Sequence, residues 1–294
     1  MDVTEARLPE PVHVDVNGTR IATYVLQPDE REPLADVVFC HGTPWSSLVW
    51  GAAARFLSDD YRVFLWDMPG YGQSAKEAAT PVDLEHQMSR LAQLLSHWQI
   101  DRPHVVAHDI GGAVALGAHL LHETEYSGLY LWDVVVLEPW GSQFFRLVAD
   151  HEQVFSALPP ALHAALVQEY IAGAARHELT PEWVDALAQP WLGTPGQPAF
   201  YRQVAQLRPA HTRPISSQLS RVRCPVGVGW GKQDPWLPIS QAFQLQQQLP
   251  GDPPLVELSN TGHLAPIENP AAVHRALHDW LAIPAGQPDK DTNE

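Results

Sequence analysis

Asp109 sits in the run Val106-Ala107-His108-Asp109-Ile110-Gly111-Gly112, where an apolar strand pattern meets a turn and then a helix pattern. Strand, sharp turn and helix is the local geometry that lifts a nucleophile above a sheet, with a helix N-terminus beneath it. The turn residue here is a carboxylate, ionised near neutral pH and nucleophilic without a base. Such a group can displace a leaving group from a saturated carbon or open a strained ring, leaving an alkyl ester on the protein. Hydrolysing that ester takes a base to activate water and backbone N–H donors for the oxyanion. His263, in Asn260-Thr261-Gly262-His263 after the last apolar run, suits the base. Asp234, in Gly231-Lys232-Gln233-Asp234, suits the acid that orients it, and Asp133, closing the Leu129–Trp132 run, is the alternative. The expected oxyanion donors are the backbone N–H groups of Ile110, directly after Asp109, and of Thr43, in Phe39-Cys40-His41-Gly42-Thr43-Pro44-Trp45.

These residues need a frame, and the hydrophobic pattern supplies one. Val12–Val16 and Arg20–Leu26 flank Asn17-Gly18, a dipeptide suited to a tight hairpin because both residues tolerate positive φ. Short apolar runs follow at Val37–Cys40, Val63–Trp66, His104–Ala107, Leu129–Val136, Val226–Trp230 and Leu255–Leu258, as expected of strands covered on both faces. Helix-period stretches at Leu84–His97, Ala113–His122, Pro238–Gln248 and Ala271–Leu281 separate most of them. Strands alternating with helices predict a mostly parallel sheet with helices on both sides. From about Pro139 to Arg221 the alternation gives way to helical pieces punctuated by prolines. The expected division is a core of 1–138 and 222–294, with 139–221 inserted as a helical cap over the crevice at the strand ends. The polar tail from Gly286 to Glu294 is expected to fray.

Composition narrows the function. A net charge of −16 over 294 residues disfavours nucleic acid and anionic membrane surfaces as partners, since both need a basic face. Cys40 and Cys224 fall in apolar runs and read as buried thiols; two cysteines exclude a disulfide framework or a cysteine zinc site. Met1 to Pro11 lacks the basic-then-apolar pattern of a signal peptide, and no stretch approaches 18 uninterrupted apolar residues. A cytoplasmic protein is expected. His119 and His122 share a helix without carboxylates at metal-ligand spacing, so neither a metal nor another cofactor is expected.

The set of motifs resembles the α/β-hydrolases of the epoxide hydrolase and haloalkane dehalogenase branch over nearly the whole chain. His41-Gly42-Thr43-Pro44 is similar to that branch's His-Gly-x-Pro turn, and His108-Asp109-x-Gly111-Gly112 to its nucleophile elbow. Asp67-Met68-Pro69-Gly70-Tyr71-Gly72-Gln73-Ser74 resembles the superfamily's Asp-x-x-Gly-x-Gly-x-Ser loop. The order nucleophile, acid, histidine is also that of the superfamily. The resemblance implies an α/β-hydrolase fold with a helical cap and the catalytic set Asp109, Asp234 and His263. It implies two cap tyrosines as proton donors in an epoxide hydrolase, for which Tyr170 and Tyr201 are the candidates, with Trp45 on the pocket wall. Haloalkane dehalogenases of this type carry Trp after the nucleophile and Asn in the turn, where Ile110 and Thr43 stand here. Fluoroacetate dehalogenases carry Arg after the Asp and again nearby to hold the substrate carboxylate, and Ile110 to Leu116 contains none. A small apolar epoxide is therefore the expected substrate, haloalkane or haloacid the alternative. A binder of small ligands without turnover is the reading from another class. Pairing of two chains into a homodimer stays open.

Overall fold

Short runs rich in β-branched and aromatic residues pair into one sheet, described here from a computed structural model covering residues 2–282. The Gly286–Glu294 tail lies outside the described residues. The strands are β1 (Val12–Val16), β2 (Thr19–Leu26), β3 (Asp36–Cys40), β4 (Arg62–Trp66), β5 (His104–His108), β6 (Gly128–Trp132), β7 (Val226–Gly231) and β8 (Leu255–Leu258). Their spatial order is β1-β2-β4-β3-β5-β6-β7-β8. The hairpin β1–β2 and the β2–β4 pair are antiparallel, and every later pair is parallel.

The chain runs from β3 outward to β4, then crosses back to place β5 on the other side of β3. That reversal opens a crevice at the carboxyl ends of β3 and β5, where such sheets bind ligands. The turn after Cys40 and the turn at Asp109 flank it.

Helices α1 (Gly51–Leu57), α2 (Leu84–Trp98) and α3 (Ile110–Leu121) precede β6 or lie between the early strands. Asp83 caps α2, its carboxylate accepting from the His86 N–H at 3.1 Å. After β7 come α9 (Ser240–Gln248), α10 (Ala265–Glu268) and α11 (Pro270–Leu281). Between β6 and β7 the described chain is helical without a strand: α4 (Gln143–Ser156), α5 (Pro160–Ala172), α6 (Pro181–Ala188), α7 (Gly193–Gln206) and the short α8 (Arg213–Ser216). Pro160 and Pro181, which read as breaks in the pattern, start α5 and α6, where a missing N–H costs nothing.

One strand is shorter than its apolar run. β6 stops at Trp132, because Asp133 takes φ of 44° and leaves the ladder. Val134, Val135 and Val136 remain buried as loop. The apolar run Leu129–Val136 thus marks burial throughout but extended strand only as far as Trp132. Both cysteines are buried free thiols, and burial pushes each up to about 12. Among the described residues no helix is long and apolar enough to cross a membrane.

Candidate active site

Asp109 joins β5 to α3 at φ 53° and ψ −127°, a conformation that costs a non-glycine residue about 1–3 kcal/mol. The turn is tight because its neighbours have no side chain. A Cβ on Gly111 would meet the carbonyl oxygens of His41 and Cys40 at 2.5 and 2.6 Å. A Cβ on Gly42 would meet the Asp109 Cβ at 2.3 Å. The carboxylate thus lies directly on the turn after β3, and the Thr43 N–H donates to its Oδ1 at 2.7 Å. Ile110 begins α3, where a first-turn N–H has no carbonyl within its own helix. Both expected oxyanion donors therefore flank Asp109.

His263 follows β8 and is fully buried. Its Nδ1 shares a 2.7 Å hydrogen bond with Asp234 Oδ2, and its Nε2 lies 3.3 Å from Asp109 Oδ2. Asp234 Oδ1 accepts from the N–H groups of Trp236 and Leu237 at 2.7 and 2.9 Å, so both carboxylate oxygens are engaged. Burial by itself would lower the His263 pKa. The Asp234 and Asp109 carboxylates overcome that and hold it well above the usual histidine value.

The alternative acid is placed elsewhere. Asp133 Oδ1 accepts from the Gly231 N–H at 2.7 Å, and Oδ2 is buried without a partner. Burial, reinforced by the charge of Asp234, raises the Asp133 pKa well above the carboxylate range. Asp234 occupies the bonding position on His263, and Asp133 turns instead to the Gly231 N–H.

Two further histidines hold loops. His108 Nε2 donates to the His263 carbonyl at 2.7 Å. Burial and the charge of His263 bring its pKa down to about 4, so it stays neutral. His41 Nε2 accepts from the Met68 N–H at 2.9 Å, leaving Nδ1 to donate to the Gly42 carbonyl at 2.7 Å. Asp67 and Ser74 bind within and beside their own glycine-rich loop, as by the Gln73 N–H on Asp67 Oδ2 at 2.8 Å.

A cavity of about 340 Å³ opens above Asp109. Thr43, Asp109 and Ile110 form its buried floor. Val135, Trp140, Phe145, Tyr170, Trp236 and Leu237 wall it, and the exposed Pro139, Gly141, Ser142, Pro235 and Pro238 frame its rim. Asp109 is the one charged side chain among these residues. Trp236 stacks on Tyr170 at 4.9 Å and lies 4.9 Å from the His263 ring.

Neither Tyr201, an expected proton donor, nor Trp45, an expected wall residue, lines the cavity. Tyr201 is fully buried; its hydroxyl bonds His163 Nδ1 at 2.8 Å, while His163 Nε2 donates to the Trp191 carbonyl at 2.9 Å. The Tyr201 proton is thereby committed to His163, and Tyr170 alone of the pair reaches the cavity. Trp45 is buried and stacks on Trp236, which takes the wall position instead. Trp236 escaped the sequence reading although it stands two residues after Asp234; an aromatic so close to a proposed acid was the available signal. Glu268 also escaped it. Its carboxylate accepts from the N–H groups of Gly262, Leu264 and Arg176, stapling the histidine loop to the segment between α5 and α6. Nothing in the local sequence announces that role.

The fold and the sequence have counterparts among known proteins. A crystal structure of an alpha/beta hydrolase fold protein from Burkholderia ambifaria matches with a TM-score of 0.84 at 37% identity, over 92% of this chain and 99% of that one. A 2-hydroxy-6-oxononadienedioate/2-hydroxy-6-oxononatrienedioate hydrolase from Burkholderia vietnamiensis is 23% identical over 95% of this chain and 97% of its own. The dihydrolipoyllysine-residue acetyltransferase component of an acetoin cleaving system from Pseudomonas putida is 28% identical over 190 residues, and the chain spans only 45% of that protein's length. The model of the alpha/beta hydrolase family matches residues 37–276. With that extent of match, the chain belongs to the alpha/beta hydrolase family.

Proposed function

We propose that this hydrolase opens a small, neutral, largely apolar epoxide through an ester on Asp109, in the cytoplasm and without a cofactor. The observation that carries the reading is the split use of one carboxylate. Asp109 Oδ1 is held by the Thr43 N–H, while Oδ2 faces His263 at the floor of the cavity. In this reading Oδ2 attacks a ring carbon, the C–O bond breaks, and Tyr170 protonates the departing oxygen. Burial and the nearby charge of Asp109 raise the Tyr170 pKa well above its usual value, so it carries that proton at neutral pH. His263 then takes a proton from water, which attacks the ester carbon, and the oxyanion forms on Oδ1 beside Thr43 and Ile110. The ester collapses to release the diol and restore Asp109. The absence of a cation from the cavity lining argues against a haloacid, whose carboxylate needs one. A carboxylate attacking an ester would give an anhydride, a poorer route than the ring opening described.

Oxygen labelling tests the mechanism. In a single turnover in ¹⁸O-water with an epoxide, the label should enter the Asp109 side chain, and the diol should carry the former Asp109 oxygen. Label in the diol with none in Asp109 would mean direct attack by water and would end the covalent reading.

The histidine predicts a pH dependence of fixed sign. A base works only when neutral, so hydrolysis of the preformed ester should speed up as pH rises through the His263 pKa. Esterification removes the negative charge of Asp109, one of the two carboxylates that raise that pKa. The midpoint for ester hydrolysis should therefore fall below the His263 midpoint of the free protein, measured by NMR titration. Coincident midpoints would show that Asp109 is not the group esterified.

A further inference from the structure

Helix α7 reaches the floor of the site through one amide. Gln203 is fully buried, and its Oε1 accepts from the Thr43 hydroxyl at 2.9 Å and from the Tyr71 hydroxyl at 2.8 Å. Both acceptor positions of that oxygen are filled. Its Nε2 is buried with no hydrogen-bond partner, so the residue is kept for its oxygen at the expense of an unpaired donor. Thr43 is β-branched, and its side-chain rotamer is coupled to its backbone. Fixing the hydroxyl therefore fixes the direction of the Thr43 N–H, which donates to Asp109 Oδ1. The next residue is held from the same side, since Trp191 Nε1 donates to the Pro44 carbonyl at 2.8 Å. Two side chains of the inserted helical segment thus hold the turn at Thr43 and Pro44, one through a hydroxyl and one through a carbonyl.

We infer that Gln203 is a positioning residue that aims the Thr43 N–H and thereby governs hydrolysis of the Asp109 ester rather than its formation. The kinetic part rests on the proposed Asp109 mechanism. Negative charge grows on Oδ1 only when water attacks the ester; in the first step the Asp109 charge passes to the departing oxygen. A misaimed Thr43 N–H consequently penalises the second step. The inserted segment then contributes to the chemistry as well as to the walls of the cavity.

Gln203→Met keeps the length of the side chain and removes the acceptor. It should slow ester hydrolysis about tenfold, a fraction of what deleting an oxyanion donor outright does, and change ester formation less than twofold. The ester on Asp109 then accumulates during turnover of an epoxide, kcat and KM fall together, and kcat/KM stays near wild type. Thr43→Val keeps the backbone N–H but removes the other end of the bond; it should give the same pattern, and the double variant no more than either single. A raised KM with reduced kcat/KM, or additive losses, would assign Gln203 to packing and overturn the inference. Amide hydrogen exchange at Thr43 reads the aiming independently of any substrate. It should accelerate several-fold in Gln203→Met, and an unchanged rate overturns the inference. If ¹⁸O labelling excludes the Asp109 ester, the kinetic part falls with it, and Thr43 exchange decides the positioning on its own.

Discussion

Asp109→Ala should lower epoxide turnover by about 10⁴-fold or more while the fold persists. The size follows from losing a covalent route altogether, which leaves only binding and the oxyanion donors to assist water. The fold should persist because the carboxylate's partners, the Thr43 N–H and the His263 ring, both belong to the site and not to the sheet or the α3 packing. Steady-state kinetics beside thermal unfolding separates the two effects. Activity within tenfold of wild type in a folded variant would remove Asp109 from the mechanism.

His263→Gln should be nearly as inactive overall, for the opposite reason. Ester formation needs no base, whereas removing a general base costs roughly 10²–10⁴-fold in the step it serves. Asp109 should therefore become modified and stay so. Incubation with separate epoxide, haloalkane and haloacid panels, followed by intact mass and peptide mapping, reads both the site and the leaving group. Ring opening adds the whole mass of the substrate, and halide loss adds the substrate less hydrogen halide. An adduct on Asp109 from haloalkanes alone would replace the epoxide assignment by dehalogenation. Wild-type turnover with no adduct in the variant would discard the ester. Silence of both proteins toward all three panels would favour a ligand-binding role.

Much of this site could be read before its geometry was known, and the reason is local. Asp109, Thr43, Asp234 and His263 all lie in the turns that follow apolar strand runs, and parallel strands bring those turns to one edge of the sheet. The Asp133–Asp234 choice was harder, because both follow neighbouring parallel strands. It is decided by backbone: Asp133 turns back onto the Gly231 N–H, and Asp234 onto Trp236 and Leu237. Side chains on the inserted helices were the least legible. Tyr201 and Gln203 lie two residues apart on α7, and a helical repeat says they point differently without saying which one meets the site. The tyrosine turned to His163, and the glutamine, whose type suggests a solvated face, was the one that met Thr43. Contacts across long sequence separations settle such questions, and no local pattern carries them.

The prolines at the rim bear on traffic. Pro139, Pro235 and Pro238 have their φ angles set by their own rings, which stiffens three points of a border that Gly141 and Ser142 complete. The mouth is stiff where the prolines stand and free to bend at the glycine. A molecule entering the cavity meets that border before any bond is made. The same border serves departure, so whatever forms on Asp109 leaves past the residues that admitted its precursor.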